Sequence, residues 1–439
     1  MNKIRFTLFS MKDALLAFGP MTVLVVFLVA ATLYFVEPAP GKKLDFVGGQ
    51  ENSAYDHFAQ LYATELAKNQ IELRLHRSQG SIENLNQIRD PNSIVDIGFV
   101  QSGSTNQEEA EAQGLISLGS LFYEPVWIFY HSKKELSNLA DFKGLRVNVG
   151  PDGYGVHKLF TQIIGVNNLS DDDFELQRLD SSAGTAAFLD GKVDVLVMSA
   201  ASDSLLVQML LQTPGVRLFD FAQAEAYTRR LPFLSHVVLP RGIVDIGKDI
   251  PARDYHLISP TATLVAHESL HPALISLFLQ AAKKIHGGAN WFSDQNEFPS
   301  DRYTEIPVDP QAEKFYRSGQ PFLQRYLSFW MANFLERMWV VLLTFGALAL
   351  PLSKVIPPLY RWRIRSRVYR WYGQLRSVEM AMEGLDRAQR KKAAEAQLKR
   401  LDEIEEKVNQ ISIPLAYADE LYGLRSHINF VRKRVQGDF

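Results

Sequence analysis

The chain has 439 residues, 46% of them hydrophobic, with a formal net charge of -2 and no cysteine. That length holds a large core or several domains, and the near-neutral balance gives no reason to expect nucleic acid as a partner. The lack of cysteine excludes disulfides, thiolate metal sites, thiol nucleophiles and a lipoprotein anchor.

In chain order, the first expected element is an apolar run over Ala14–Val36. It is long enough to cross a hydrocarbon core of ~30 Å and exceeds the ~7–15 apolar residues of a signal peptide, so a retained span over 14–36 is expected rather than a cleaved leader. Lys3, Arg5 and Lys12 precede it, which places residues 1–13 in the cytoplasm by the positive-inside rule.

From Gly41 to about Pro321, short β-rich runs alternate with helical patterns, predicting an α/β domain over 41–325 with largely parallel sheets. Strands are expected at Leu44–Val47, Ile71–Leu75, Ile94–Val100, Val126–Tyr130, Leu145–Val149, Val193–Met198 and Ser235–Leu239. Apolar spacing of three to four residues predicts helices over Ser53–Lys68, Ser81–Arg89, Gly155–Ile164, Ser182–Asp190, Ser204–Thr213 and Pro272–His286. Three glycine-bearing loops, Gly48–Ser53, Arg77–Ser81 and Gly150–Gly155, lie where a strand hands over to a helix. Helix starts of this kind present unpaired N–H groups to anionic ligands.

His267-Glu268-Ser269-Leu270-His271 matches the zinc-protease pattern H-E-x-x-H, which works only when one helix carries both imidazoles on one face. Pro272 turns His271 away from helical dihedrals, and Thr261–Ala266 reads as a strand, so a structural loop is expected. No nucleophile elbow or P-loop is present, and neither an enzyme nor a cofactor is expected.

A second apolar run, Met338–Leu352, spans a membrane if it continues to Pro358, with Trp339, Tyr360 and Trp362 near its interfaces; an interfacial amphipathic helix is the alternative. Arg361, Arg363, Arg365, Arg367, Arg370 and Arg376 follow, predicting a cytoplasmic segment 359–439 and contact with anionic lipid headgroups. Leu401, Ile404, Val408 and Ile411, then Leu421, Leu424, Ile428, Val431 and Val435, predict two helices forming a hairpin or short coiled coil. Such a tail either packs on itself or serves a partner, including a second copy of the chain.

Several segments carry a family resemblance. Gln79-Gly80-Ser81-Ile82-Glu83-Asn84-Leu85 precedes Asp96-Ile97-Gly98-Phe99-Val100-Gln101-Ser102; Tyr123-Glu124-Pro125 precedes a strand; Leu139–Gly150 contains Asp141-Phe142-Lys143-Gly144-Leu145-Arg146-Val147; Ala187–Asp194 follows. Together these resemble the TAXI-type solute-binding proteins of tripartite ATP-independent periplasmic (TRAP) transporters, within the type II periplasmic binding proteins. The resemblance implies a two-lobed α/β fold, with lobe I at about 44–130 and 240–321 and lobe II at about 131–234. Val126–Tyr130 and Ser235–Leu239 would cross between them.

It further implies a small carboxylate ligand, an amino acid or dicarboxylate, held between the lobes by Ser53, Tyr55, Gln79, Ser81, Gln101, Ser102, Tyr123, Tyr154, Gly155 and Val156, with Ser199 and Ala200 closing from the other lobe. Tyr154 and Val156 depart from the Ser and Thr usual in the family. The expected protein is a receptor in the bacterial inner membrane, its binding domain periplasmic, both termini cytoplasmic, and its partner a TRAP-type permease. The alternative is a sensor read by the cytoplasmic helices; a zinc hydrolase on His267, Glu268 and His271 is the third reading.

Overall fold

The computed structural model describes residues 41–51, 53–132, 134–202, 204–319, 326–327, 329–411 and 413–437, with residues 6–7, 19, 22–23, 25–28 and 30. They fall into two compact units, residues 39–333 and residues 1–38 with 334–439.

The larger unit holds two five-stranded sheets. Strands β1 (Lys43–Val47), β2 (Glu72–His76), β3 (Ile97–Gln101), β4 (Leu115–Tyr123) and β12 (Thr261–His267) form the first, in the order β2-β1-β3-β12-β4. Strands β5 (Val126–Tyr130), β6 (Arg146–Asn148), β7 (Glu175–Gln177), β8 (Val195–Ser199) and β9 (Arg217–Leu218) form the second, in the order β9-β5-β8-β6-β7. Each sheet has three parallel strands, then one antiparallel strand, then an edge strand antiparallel to that one. In each case the antiparallel strand is the first that the chain lays down after changing sheets. The two lobes are thus built on one plan.

Central strands are buried on both faces and read as unbroken apolar runs, as in Ile97–Val100 and Val195–Met198. Between them, α1 (Ala54–Ala67) starts on Ser53, whose side chain accepts from the Asp56 amide. Helix α2 (Ser81–Arg89) follows β2, α3 (Gln107–Ala112) follows β3, and α4 (Gly155–Val166) follows β6. Helices α5 (Ser181–Leu189), α6 (Leu205–Gln212) and α7 (Ala224–Arg230) complete the second lobe. Strands β10 (Ser235–Leu239) and β11 (Tyr255–Ser259) pair with each other. Helices α8 (Pro272–His286) and α9 (Pro310–Ser318) return to the first. Phe46, Tyr62, Phe99 and Phe278 centre the core of lobe I; Trp127, Phe129, Phe142 and Phe221 centre that of lobe II.

The change of sheet falls elsewhere than the sequence reading placed it. Val126–Tyr130, expected at the end of lobe I, is hydrogen-bonded into the second sheet, so the chain crosses at Glu124-Pro125. It returns at Pro260 rather than at Ser235–Leu239, because Val237, Leu239, Leu257 and Ile258 are buried in the lobe II core. Strand patterns reveal that a segment is buried, and both lobes bury such strands in the same way. Four strands, Leu115–Tyr123, Glu175–Gln177, Arg217–Leu218 and Tyr255–Ser259, were not anticipated.

In the smaller unit, α10 (Phe329–Met382) is followed by α11 (Arg387–Asn409) and α12 (Ala418–Gln436). Their shared core contains Ile364, Val368, Leu375 and Val378 from α10, Leu401, Ile404 and Val408 from α11, and Leu421, Leu424, Ile428, Val431 and Val435 from α12. The two expected tail helices, α11 and α12, pack on each other, α10 adds a third wall that the sequence reading did not include, and the apolar stripe suggested for self-association is covered within the unit. Phe6 and Thr7 pair in parallel with Ile413 and Pro414.

Among the described residues no helix is long and apolar enough to cross a membrane. The span expected over 338–358 is an interior stretch of α10, which carries Pro351, Pro357 and Pro358. Of the run 14–36, residues 19, 22–23, 25–28 and 30 are helical, and the others lie outside the described residues. The two expected transmembrane helices are therefore not supported by the described structure.

Candidate functional site between the lobes

Both crossings meet at one point. The Glu124 amide donates to the Pro260 carbonyl at 3.0 Å, and the Ala200 amide donates to the Pro125 carbonyl at 3.4 Å. The Glu124 side chain turns inward, where its Oε2 accepts from the Tyr55 hydroxyl at 3.0 Å and from Gln101 Nε2 at 3.1 Å. Gln101 Nε2 also donates to Ser199 Oγ at 2.8 Å, and Ser199 Oγ donates to the Glu124 carbonyl at 2.8 Å. A carboxyl, an amide, a phenol and a hydroxyl thus bridge the lobes where the strand ends converge. Burial pushes the Glu124 carboxyl up to about 7, against the opposing pull of the hydrogen bonds from Gln101 and Tyr55. Burial also raises the Tyr55 hydroxyl well above its ordinary value, with the Glu124 charge adding to it.

Around this centre, Ser81 Oγ accepts from the Gln101 amide at 2.6 Å and lies 2.9 Å from Ser104 Oγ. Gly155, the first residue of α4, faces the same group: a Cβ there would lie 2.5 Å from Gln101 Oε1. A Cβ at Gly153 would lie 2.9 Å from Gln79 Oε1. The two side-chain amide oxygens of lobe I therefore rest against the amino end of a 12-residue helix of lobe II, the environment that favours negative charge.

A second junction lies beside it. Lys158 Nζ donates to the Ser104 carbonyl at 2.8 Å, and the Phe233 ring covers Gly103, where a Cβ would meet it at 2.6 Å. Gly103 has φ +84°, so both its backbone and its neighbour require glycine. The Glu305 carboxylate accepts from the Gly103 amide, and burial pushes it up to about 7. A depression of about 560 Å³ is lined by Gln50, Glu51, Arg77, Gln79 and Glu83 of lobe I and Asp180 and Ser182 of lobe II.

Of the residues singled out in the sequence, Tyr55, Gln79, Ser81, Gln101, Gly155 and Ser199 meet at this junction. Ser102 holds the returning crossing, its hydroxyl accepting from the Thr261 amide at 2.8 Å. The Ala200 carbonyl accepts from Trp127 Nε1 at 2.9 Å. Ser53 is occupied as the cap of α1. Tyr154 precedes α4; its hydroxyl is buried without a partner of hydrogen-bond geometry and is pushed up to about 12 by burial, with Asp180 and Ser181 beside it.

Two of the expected residues lie elsewhere. The Tyr123 hydroxyl donates to Glu297 at 2.8 Å and its ring packs on Phe298 and Tyr303, while Val156 packs on the lobe II core. Glu124, Asn84, Ser104 and Glu305 were not among the expected site residues. A signal for Glu124 was present: it is the charged residue wedged between two apolar runs, Leu115–Tyr123 and Val126–Tyr130.

The H-E-x-x-H segment does not form a metal-binding helical face. His267 ends β12 with Nδ1 beside Ser269 Oγ, whereas His271 caps α8 by accepting from the Ala273 amide. A strand end and a helix cap cannot give the one-turn spacing that the zinc reading needs.

Two lobes of identical strand order, joined by two adjacent crossings with buried polar groups between them, define the two-lobed periplasmic-binding-protein fold. The chain belongs to the NMT1-like family, whose model matches residues 53–317. It is similar to the alkanesulfonate-binding protein SsuA from Xanthomonas axonopodis pv. citri, solved bound to MOPS, with 15% identity, TM-score 0.37, and 56% of this chain and 74% of that chain covered. It is similar to the periplasmic aliphatic sulphonate binding protein SsuA from Escherichia coli, with 15% identity, TM-score 0.37, and coverage of 56% and 72%. A third similar structure is the effector binding domain of a BenM variant, with 10% identity, TM-score 0.38, and coverage of 58% and 100%.

Proposed function

We propose that the larger unit is a TAXI-like solute receptor that holds a small carboxylate, an amino acid or dicarboxylate, between its lobes and presents the closed form to a TRAP-type permease. The observation that carries this reading is the Gln101–Glu124–Ser199 junction beside the amino end of α4. The amide oxygens of Gln79 and Gln101 stand where carboxylate oxygens would gain from the helix dipole. Below about pH 7, Glu124 keeps its proton and is able to donate it in a hydrogen bond to an anionic ligand. Binding needs no metal and no covalent chemistry.

The test is a thermal-shift titration of the full chain with amino acids, dicarboxylates, keto acids, sugars and sulfonates. A ligand at about 100 times its Kd stabilises the native state by ~2.7 kcal/mol. A carboxylate shift that disappears in Gln101→Ala and Ser81→Ala is the expected result. A shift with sulfonates or sugars alone would sink the carboxylate assignment.

Anchoring with both termini on the cytoplasmic side of the inner membrane, the larger unit being periplasmic, belongs to the same proposal. The pairing of Phe6–Thr7 with Ile413–Pro414 supports it, since the residues before the first apolar run and those after the second then share one compartment. It also favours the sensor reading, in which closure is read by the helical tail, because both ends of the receptor reach one structure. The natural chain has no cysteine, so a Thr7→Cys/Pro414→Cys pair provides a clean test. Cross-linking in membranes under mild oxidation is expected, with none for Thr7→Cys/Gln436→Cys. Labelling of Thr7→Cys and Pro414→Cys from opposite sides of the membrane would end this arrangement.

A further inference from the structure

We infer that the outer face of α10 between Trp362 and Arg376 docks on an anionic phospholipid bilayer. The inner stripe of this segment is fixed, because Ile364, Val368, Leu375 and Val378 are buried against α11 and α12. At 3.6 residues per turn, the opposite face then carries Trp362 and Tyr369, which are 66% and 53% exposed. Arg363 and Arg370 flank these aromatics on one side, and Arg365 and Arg376 on the other, all four exposed. Arg365 pairs with Glu420 at 2.9 Å, whereas Arg363, Arg370 and Arg376 have no carboxylate partner among the described residues.

The sequence has no aspartate or glutamate between Glu336 and Glu379, so nothing on this helix neutralises the arginines locally. The same helix exposes Trp339, Leu343, Phe345, Leu350, Val355 and Leu359 immediately upstream. Exposed apolar and aromatic side chains followed by unpaired guanidinium groups match the layering of a bilayer surface, with acyl chains below and phosphates above. A nucleic acid would use the arginines but leave the upstream apolar side chains in water. The inference rests on the smaller unit alone, and its failure would leave the receptor reading untouched.

The experiment is flotation of the full chain with vesicles of phosphatidylcholine alone and of phosphatidylcholine containing phosphatidylglycerol. Retention at least about tenfold stronger on the anionic vesicles, weakening as salt is raised, is expected, since each basic side chain near such a surface adds appreciably to attraction. Arg363→Glu/Arg370→Glu/Arg376→Glu should lose that preference while its far-ultraviolet circular dichroism is unchanged. Should the reversals impair folding, the corresponding Arg→Gln triple variant is expected to lose most of the preference. Equal retention on both vesicle types, an anionic preference that survives the folded variant, or tight RNA binding without a lipid preference would each overturn the inference.

Discussion

Glu124→Gln should make the larger unit more stable above pH 7 and flatten its stability profile between about pH 4.5 and 7. Burial raises the folded-state carboxyl from 4.5 to about 7. Between those values the native state keeps a proton that the unfolded chain has lost, so stability falls as pH rises, and the loss is complete above the folded value. A difference of this size corresponds to about 3 kcal/mol, and its removal raises Tm by on the order of 5 °C. Glutamine retains an oxygen for Tyr55 and Gln101 and cannot ionise.

Glu305, also pushed up to about 7 by burial, adds a second decline in the same window and remains in the variant. His286 acts in the opposite sense. Burial lowers it to about 3, so stability rises with pH between there and its ordinary value of 6.5. Melting scans at pH 5 and pH 8 test the prediction: a wild-type minus variant difference that is the same at both values would show that the native Glu124 carboxyl is not raised above its unfolded value. The variant should also bind a carboxylate ligand independently of pH across neutrality, whereas the natural protein loses affinity as pH rises through 7.

Asn84→Ala should cost about 4 kcal/mol, the combined effect of two stranded carbonyls and a small void. Asn84 is fully buried one turn into α2, and its Nδ2 donates to the Gly48 carbonyl at 2.5 Å and the Phe99 carbonyl at 2.7 Å, while its Oδ1 accepts from Ser78. One side chain thereby ties the loop after β1 and strand β3 to the helix that carries Ser81. This gives the Gly80-Ser81-x-x-Asn84 pattern a physical meaning. Serine at the first position supports the Gln101 amide, and asparagine one turn later reaches the strand ends from the same helix. Urea unfolding of the variant should show a lower midpoint with an unchanged slope. A loss below about 1 kcal/mol would mean that another donor takes over both carbonyls.

Much of the secondary structure was legible because its signals are local. Ser81–Arg89, Pro272–His286, Val126–Tyr130 and Ser235–Leu239 were placed from apolar spacing and from Gly, Pro and capping residues at their ends. Those signals act within one turn of helix or a few residues of strand. Part of the junction was legible too: Ser81 and Gly155 sit at strand-to-helix handovers, and Gln101 was implied by the family resemblance.

What needed the tertiary structure is which strand enters which sheet and which polar group is left inside. Val126–Tyr130 looks the same in either lobe, and only its pairing with Val195–Ser199 assigns it to the second. Glu124 had no role in the sequence reading beyond its place in Tyr123-Glu124-Pro125, and only the two crossings that close over it bury its carboxyl, while Tyr123, its neighbour, faces Glu297. In the tail, Leu401 and Leu421 announced two helices, but the third wall of their core comes from Ile364 and Val368 in a segment read chiefly by its arginines. The sequence by itself determined where many of the helices and strands lie, because hydrogen bonding and side-chain periodicity along the chain are short-range. The lobe boundaries, the buried carboxyl and the three-helix core were decided only by tertiary packing, because desolvation and strand partnership depend on residues distant in the chain.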